Sequence, residues 1–245
     1  MTKRHPSIRL FVNGPLSEGA VVPCDRSQSN YLRNVMRLAE GDGVLVFDGS
    51  SGEWLASLEV ESKHACALTV SGQVRVQAEG PDIHYLFAPV KRARLDYMVQ
   101  KAVELGVATL HPVITRRTEV KRVKLDRIRA NVIEAAEQCG VLRIPGIEEP
   151  VYLDRLLAQW NPERRIIYCD EEAALTSPIE ALQALEREPV AVLIGPEGGF
   201  DEAERKRLRD LAFVTPISLG PRVMRADTAA VAALALVNAV LGDWR

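Results

Sequence analysis

The chain has 245 residues, with 31 lysines and arginines against 33 aspartates and glutamates, and a formal net charge of −2. At roughly 150 residues per domain, this length predicts one large domain or two smaller ones. Hydrophobic residues make up 47% of the chain and charged residues 26%, which is typical of a globular protein and excludes a disordered chain, a collagen and a coiled-coil array.

The positive charge is unevenly placed along the chain. Residues 91–129 carry 11 basic and 4 acidic side chains, a net charge of +7, whereas residues 1–90 have a net charge of −2 and residues 130–245 one of −7. A one-signed excess of this kind favours a phosphate backbone as partner over a merely solvated face. Aromatic residues are only 5% of the chain, which argues against a base-stacking platform for single strands.

Compartment and membrane signals are few. The four cysteines (Cys24, Cys66, Cys139 and Cys169) are scattered and form no CxxC pair, which indicates a reducing compartment. The basic start is followed by no apolar signal-peptide core, and the most apolar run, residues 228–241, is too short to span a bilayer. We therefore expect a cytoplasmic protein with no membrane partner.

The first part of the chain has the pattern of a small β-domain. Short strands are predicted at residues 8–12, 44–47, 54–60 and 69–76, and apolar residues at helical spacing predict one helix over 28–38. Residues 78–82 (AEGPD) are typical of a linker. The predicted domains are a β-barrel over residues 1–76 and a second domain over residues 82–245.

In the second domain strands and helices alternate, which predicts a parallel α/β sheet. Strands are expected at 83–90, 109–114, 165–169, 190–194 and 214–218. Helices are expected around 95–103, up to about 138, and over 178–187, 201–212 and 227–241. The last helix is apolar on almost every side and must be buried in the core or in a subunit interface.

A glycine-rich turn follows the buried strand at 190–194. Gly195, Gly198 and Gly199 allow backbone to approach a ligand, and Asp201 with Glu204 forms a capping-box pattern. No Lys-Ser/Thr follows and the spacing is not GxGxxG, so a nucleotide phosphate is disfavoured. A ligand such as adenine joined to a zwitterionic amino acid fits better. The alternative is a tight βα turn whose glycines serve geometry alone.

A second loop, residues 219–228, also joins a strand to a helix. Arg222 and Arg225 stand at the entrance of that helix, with Asp227 or Thr228 as a possible N-cap. The arginines could be caps or salt-bridge partners. Two such loops side by side are also how a composite pocket is built.

Other catalytic patterns are missing or ambiguous. Glu104, Glu134, Glu137 and Gln138 lie near helix ends and indicate nothing specific alone. The four histidines (His5, His64, His84 and His111) lack metal-ligand spacing, so we expect no metal site and structural or solvated roles.

Several segments together resemble the ribosomal RNA small subunit methyltransferase E family. They are RLFV at 9–12, YLRNVMRL at 31–38, QKAVELGV at 100–107, AEQCG at 136–140, LIGPEGGF at 193–200 and LGPRVMR at 219–225. The resemblance implies an α/β, trefoil-knotted SPOUT methyltransferase domain with an N-terminal PUA-like β-barrel. It also implies S-adenosyl-L-methionine as cofactor, methylation of N3 of a uridine in 16S rRNA within the small ribosomal subunit, and a homodimer.

The resemblance also implies site residues. Those expected at the cofactor are Leu193, Ile194, Gly195, Pro196, Glu197, Gly198, Gly199, Leu219, Gly220, Val223, Met224 and Arg225. Arg9, Arg225 and Asp227 are the expected catalytic residues. Contacts to RNA are expected from Lys3, Arg4, Arg9, Arg33, Arg37, Arg92, Lys101, Arg116 and Lys121. This chain departs from the family pattern at Val141, where arginine is usual, and at Ala226 and Asp227, where threonine and glutamate are usual.

Two other classes of protein stay open from the residues alone. A non-catalytic rRNA-binding protein would bind RNA without a cofactor. A nicotinamide-dependent oxidoreductase would need GxGxxG near the start of the α/β region and an acidic residue for the ribose, and the sequence has neither at that place.

Overall fold

The computed structural model describes residues 8–62, 64–173, 177–185 and 189–244. Its contacts divide the chain into two compact units. Unit 1 comprises the residues up to 79 together with 136–143, and unit 2 comprises residues 80–135 and 144–245. The assignment of 136–143 to unit 1 is a feature that no local sequence pattern indicates.

Unit 1 is built on a five-stranded sheet in the order β1-β3-β4-β5-β2. The strands are β1 (Arg9–Phe11), β2 (Val21–Pro23), β3 (Gly43–Phe47), β4 (Glu53–Val60) and β5 (Cys66–Arg75). The pair β1–β3 is parallel and the other pairs are antiparallel. Four of these strands were predicted from the sequence. The edge strand β2 was not, because it has three residues, ends in proline and lacks a buried face.

One short helical segment crosses unit 1. Helix α1 (Arg26–Asn30) starts at a capping box between Asp25 and Gln28, and continues as a π-helical turn, Tyr31–Val35. Leu32, fully buried, anchors this segment in a core formed by the alternating apolar residues of the sheet. The helix predicted over 28–38 is therefore confirmed in place, although it starts earlier and ends earlier.

The described part of unit 2 contains seven parallel strands. They are β6 (Ile83–Phe87), β7 (Thr109–Ile114), β8 (Gly146–Ile147), β9 (Val151–Tyr152), β10 (Arg165–Cys169), β11 (Val190–Ile194) and β12 (Val214–Ile217). The order is β12-β10-β11-β6-β7-β8, with β9 paired to β7. The expected α/β class with a parallel sheet is thus confirmed, whereas the trefoil-knotted threading of the chain stays a prediction.

The described residues of 80–245 form six helices, the end of the second of which (136–139) belongs to unit 1. They are α2 (Arg92–Glu104), α3 (Leu125–Cys139), α4 (Leu153–Gln159), α5 (Pro178–Gln183), α6 (Glu202–Asp210) and α7 (Ala226–Val240). Helix α4 and the two-residue strands β8 and β9 were not predicted. The described residues contain no helix that is both long and apolar enough to cross a membrane.

The order of three strands determines where the two predicted loops meet. Strand β10 lies between β11 and β12, and all three run in the same direction. Their carboxyl ends therefore reach one edge of the sheet, which is where ligands bind in open parallel sheets. The glycine-rich turn leaves β11 at this edge and the second loop leaves β12 there.

Candidate functional site

A cavity of about 660 Å³ opens at the carboxyl edge of β10, β11 and β12. This volume falls in the range of small-molecule sites, about 300–1,000 Å³. Three segments form its wall: residues 168–173, residues 194–200 apart from Gly198, and residues 219–226, with Arg94, Arg205 and Ala229 completing it. Two of these three segments are the loops that the sequence predicted as halves of a composite pocket.

Most of the residues expected at the cofactor line this cavity. They are Ile194, Gly195, Pro196, Glu197, Gly199, Leu219, Gly220, Val223, Met224 and Arg225. Two of the expected residues do not. Leu193 is fully buried in the core of the sheet, and the carbonyl oxygen of Gly198 accepts a 2.9 Å hydrogen bond from Nη1 of Arg117. The structure thus brings together ten of the twelve, and their contact with a cofactor stays a prediction.

The glycines of the first loop are required by the local geometry. Gly199 has a φ of +67°, and a Cβ atom there would lie 2.6 Å from Oε1 of Glu171. Gly195 has ordinary backbone angles, yet its Cβ would lie 2.5 Å from the Phe200 ring. The turn closes with a 2.8 Å hydrogen bond from the N–H of Gly199 to the carbonyl of Pro196. A side chain at either position would therefore collide with its neighbours, so the local structure requires glycine at both.

The helix that follows this turn begins as the sequence predicted. Asp201 Oδ1 accepts a 2.7 Å hydrogen bond from the N–H of Glu204, and Glu204 Oε2 accepts a 3.1 Å bond from the N–H of Asp201. The bond from the Glu204 N–H is the main reason why the pKa of Asp201 lies below its usual range, and Arg116 lowers it further. A carboxylate therefore occupies the anion-binding end of α6, which leaves no place there for a phosphate.

The third wall of the cavity was not predicted. Asp170, whose side chain is fully buried, accepts a 2.9 Å hydrogen bond from Nε of Arg209, and Glu171 accepts one of 2.5 Å from Nη2 of Arg205. Burial raises the pKa of Tyr168, and the charge of Asp170 adds to this effect. The available signal was the acidic triplet 170–172, which directly follows a strand that ends at the same edge.

The second loop places two arginines at the cavity. Arg222 and Arg225 both line it, and Arg225 is the residue before helix α7 begins. Within the described part of the chain, the guanidinium of Arg225 has no hydrogen-bond or ion-pair partner. Asp227 lies two residues further on, where its carboxylate accepts a 2.9 Å hydrogen bond from the N–H of Thr228. Asp227 is partly buried and does not line the cavity.

Arg9, the third expected catalytic residue, lies inside unit 1. Its Nε donates to Glu53, and its other nitrogens donate to the backbone carbonyls of Ala136, Glu137 and Val141. The guanidinium also stacks on the ring of Phe47, 4.4 Å from the centroid. These contacts use most of the donors of Arg9 and favour a structural role for it. Its catalytic role stays a prediction.

The residues expected to contact RNA have different surroundings. Lys3 and Arg4 lie outside the described residues. Arg37, Arg92 and Lys121 are exposed and have no ion pair among the described residues. Three others hold protein partners: Arg33 donates to the carbonyl of Ser62, Lys101 pairs with Glu104, and Arg116 pairs with Asp201 at 2.8 Å.

Two histidines that are 27 residues apart in the chain lie together in unit 2. Nε2 of His111 is 2.9 Å from Nδ1 of His84, and the rings are stacked beside Trp160. Burial, together with the neighbouring His84, lowers the pKa of His111 to about 4. The register of β6 and β7 creates this pair, which spacing along the sequence cannot reveal. No cluster of three or more potential metal ligands occurs among the described residues.

Comparison with known proteins gives consistent matches over both units. An RNA methyltransferase domain model matches residues 78–238, and an RNA methyltransferase PUA domain model matches residues 25–71. The ribosomal RNA small subunit methyltransferase E of Synechocystis is 33% identical over 91% of this chain and 74% of its own.

Two solved structures agree with these matches. A methyltransferase from Legionella pneumophila, in complex with the bound cofactor SAM, is 32% identical, with a TM-score of 0.86 over 96% of this chain and 98% of its own. The ribosomal RNA small subunit methyltransferase E of Neisseria gonorrhoeae, bound to S-adenosyl methionine, is 26% identical, with a TM-score of 0.87 over 98% and 100%. The chain therefore belongs to the ribosomal RNA small subunit methyltransferase E family.

Proposed function

We propose that this protein transfers a methyl group from S-adenosyl-L-methionine to N3 of a uridine in 16S rRNA. As a member of its family, the chain is an S-adenosylmethionine-dependent RNA methyltransferase. The observation that supports the finer proposal is the composite cavity, in which the glycine-containing turn forms one wall and two arginines of the next loop stand at another.

The cavity suits this cofactor by shape and charge. Gly195 and Gly199 both line it, and a Cβ at either would collide with Phe200 or Glu171, so this part of the wall has no side chain to keep a flat or extended ligand away from the backbone. Charged side chains of both signs line the cavity: the carboxylates of residues 170–172 pair with Arg205 and Arg209, and Arg222 and Arg225 stand on the next loop. This mixture suits a ligand that carries both charges, as S-adenosylmethionine does, better than a polyphosphate. When bound, S-adenosylmethionine supplies a methyl group on a positively charged sulfur.

The protein's part in the reaction is positioning and charge handling. Uridine N3 carries a proton that must leave before or during methyl transfer, and negative charge then spreads over the uracil. We place Arg225 against that charge, because its guanidinium lines the cavity and is unpaired within the described residues. Asp227 does not line the cavity, so we place it as a proton acceptor that acts through a water molecule.

The RNA would reach this site along the basic surface. Exposed residues without ion pairs among those described, Arg92, Lys121, Arg122, Lys124 and Arg129, are the ones that we assign to phosphate contacts. In unit 1, Arg37 is a further candidate, since it is exposed. We further propose that the protein works in the cytoplasm as a homodimer, on 16S rRNA within the small ribosomal subunit, and that its α/β domain is knotted.

Methyl transfer in vitro tests this function. Small subunits and naked 16S rRNA from cells lacking the enzyme are incubated with the protein and radiolabelled S-adenosylmethionine, and digests are mapped by mass spectrometry. We expect one 3-methyluridine in 16S rRNA. Cofactor binding with a methyl group on another base or on a ribose would overturn the N3 assignment. RNA binding without cofactor binding, measured by calorimetry, would support the non-catalytic alternative.

Arg225→Ala and Arg225→Lys separate binding from chemistry. We expect Arg225→Ala to lower kcat about 100-fold or more, in line with the loss of a charge-stabilising group, and to change the Kd of the cofactor little. Arg225→Lys keeps the charge and recovers part of the rate. Arg155→Ala is the matched control, because Arg155 is an exposed arginine of helix α4 that neither lines the cavity nor belongs to the residues assigned to RNA.

A further inference from the structure

Residues Thr115–Thr118 form a rigid turn directly after strand β7. Both threonine side chains are 3% exposed. The hydroxyl oxygen of Thr118 accepts a 2.9 Å hydrogen bond from the N–H of Thr115 and lies 2.9 Å from the hydroxyl of Thr115. The N–H of Thr118 donates back to the carbonyl of Thr115 at 3.2 Å. The two residues between them, Arg116 and Arg117, are therefore presented in a fixed direction.

Both arginines of this turn hold the glycine-rich segment that lines the cavity. Nη1 of Arg117 donates to the carbonyl of Gly198 at 2.9 Å. Nη1 of Arg116 donates to Asp201 at 2.8 Å, and the backbone N–H of Arg116 donates to Oε1 of Glu204 at 2.8 Å. Three hydrogen bonds from two consecutive residues thus reach the turn, the cap and the first turn of helix α6.

These contacts explain how a segment rich in glycine keeps one conformation. Glycine backbone loses more conformational entropy on ordering than any other, so a binding loop made of it needs anchors from outside. The turn's own closure is one bond, from Gly199 to Pro196. The ion pair between Arg94 and Glu197 adds an anchor from helix α2.

We propose that Arg116 and Arg117 are positioning residues for the cofactor loop and not RNA contacts, although they belong to the most basic stretch of the chain. The inference rests on the proposed function, since it assigns the cavity to S-adenosylmethionine. It divides the basic residues into two groups. Arg94, Arg116 and Arg117 hold the glycine-rich segment, whereas Lys121, Arg122 and Lys124 face solvent and are available to phosphate.

The test compares Arg117→Met with Arg122→Met in the full-length protein. Methionine keeps much of the length of the side chain and removes its donors. For Arg117→Met we expect the Kd for S-adenosylmethionine, measured by calorimetry, to rise about three- to tenfold. The expected rise is smaller than for the loss of a buried hydrogen bond to a charged group, because Arg117 is exposed. The Kd for a 16S rRNA fragment should stay within twofold of wild type.

The control should show the opposite behaviour. Arg122→Met should weaken RNA binding and leave the Kd for S-adenosylmethionine unchanged. Arg117→Lys keeps one donor and a charge, so it should recover part of the cofactor affinity. A role in the fold alone would show as a lower thermal midpoint in both variants of Arg117 without this rescue.

Thr118→Val provides a second, independent variant. It conserves the volume of the side chain but leaves the buried N–H of Thr115 without its acceptor, so it loosens the turn that carries both arginines. We expect the same loss of cofactor affinity with unchanged RNA affinity. This variant also decides the matter if Arg117→Met does not fold.

The outcomes separate this inference from the proposed function. If wild-type protein does not bind S-adenosylmethionine, the proposed function is overturned and the inference with it. If wild type binds the cofactor and both Arg117→Met and Thr118→Val bind it equally well, the inference alone is overturned. It is also overturned if Arg117→Met weakens only RNA binding.

Discussion

Arg9 and Glu53 form a buried ion pair in unit 1, with Nε of Arg9 donating to Oε1 of Glu53 at 2.5 Å. Their side chains are 10% and 3% exposed. The other nitrogens of Arg9 donate to backbone carbonyls in the segment 136–143, and the carboxylate of Glu137 in that segment accepts a 2.9 Å bond from the N–H of Phe11. Arg9 thus joins strands β1 and β4 to a segment that is more than 120 residues away in the chain.

We expect Arg9→Leu to destabilise the protein by about 3 kcal/mol. The substitution leaves the carboxylate of Glu53 buried without its main partner, and breaking a buried pair in this way typically costs about 3–5 kcal/mol. Arg75, which is 3.5 Å from Glu53, keeps the loss at the lower end. Urea unfolding measures the change, with Arg33→Leu as control, because Arg33 makes one bond to a carbonyl near the surface.

The double variant Arg9→Leu/Glu53→Leu tests the cause of this loss. If an uncompensated carboxylate is responsible, the double variant should be more stable than Arg9→Leu alone. A double variant no more stable than Arg9→Leu would show that the unpaired carboxylate is not the cause. The catalytic hypothesis for Arg9 is tested separately. That hypothesis requires Arg9→Leu to unfold at the urea concentration of wild type and yet lose methylation.

Three glycines of one loop make a graded test of the cavity wall. Gly195→Ala and Gly199→Ala place Cβ atoms 2.5 Å from Phe200 and 2.6 Å from Glu171, and the second also strains a positive φ. We expect each to raise the Kd for S-adenosylmethionine about tenfold or more, since overpacking of this kind typically costs about 1–3 kcal/mol. Gly198→Ala is the control, because its Cβ would lie 3.7 Å from Arg117, an ordinary contact. Equal binding by all three variants would show that the ligand does not lie on this backbone.

The sequence predicts the central sheet well for a physical reason. Strands β10 and β11 begin and end at the predicted residues, because strands buried on both faces form short continuous apolar runs. The two loops of the cavity are predictable for the same reason, since each directly follows such a strand or its neighbour. Strands β8 and β9 have two residues each, too few to show any pattern.

The sequence predicts less about features that depend on contacts between distant residues. In the sequence, Arg9 is indistinguishable from an arginine that binds RNA. Only its hydrogen bonds to Glu53 and to carbonyls of residues 136–141 show that its guanidinium binds other parts of the protein. The charge of the 91–129 stretch is misleading in the same way. Of its 11 basic residues, five have ion-pair partners: Lys91, Arg94, Lys101, Arg116 and Arg127. Charge counts cannot separate those from the residues that remain available.

This division predicts how RNA binding responds to salt. Arg122 is exposed and unpaired among the described residues, whereas Arg127 is held by Asp96, whose pKa it keeps below the usual range through a hydrogen bond. We expect Arg122→Ala to reduce the slope of log K against log salt by about 1, as the loss of one phosphate contact does. Arg127→Ala should change the slope much less. Filter binding to a 16S rRNA fragment between low and moderate salt measures both, and equal effects would contradict the assignment.

The paired histidines predict how stability depends on pH. The pKa of His111 is lowered from 6.5 to about 4 in the folded protein, chiefly by burial and also by His84. The unfolded chain therefore takes up a proton first as the pH falls, so stability is complete above pH 6.5 and is lost between 6.5 and 4. From pH 7 to pH 4.5 this site alone should cost about 2 kcal/mol.

His111→Gln removes this titration and His64→Gln serves as its control, because His64 is exposed. The free energy of unfolding is measured in urea at pH 7 and at pH 4.5. Its decrease between the two pH values should be about 2 kcal/mol smaller in His111→Gln than in wild type. Carboxylates elsewhere titrate in the same range, and they contribute equally to both proteins, so the difference between the two proteins isolates His111. If wild type and His111→Gln lose the same stability over this interval, the buried pair does not govern the acid response of unit 2.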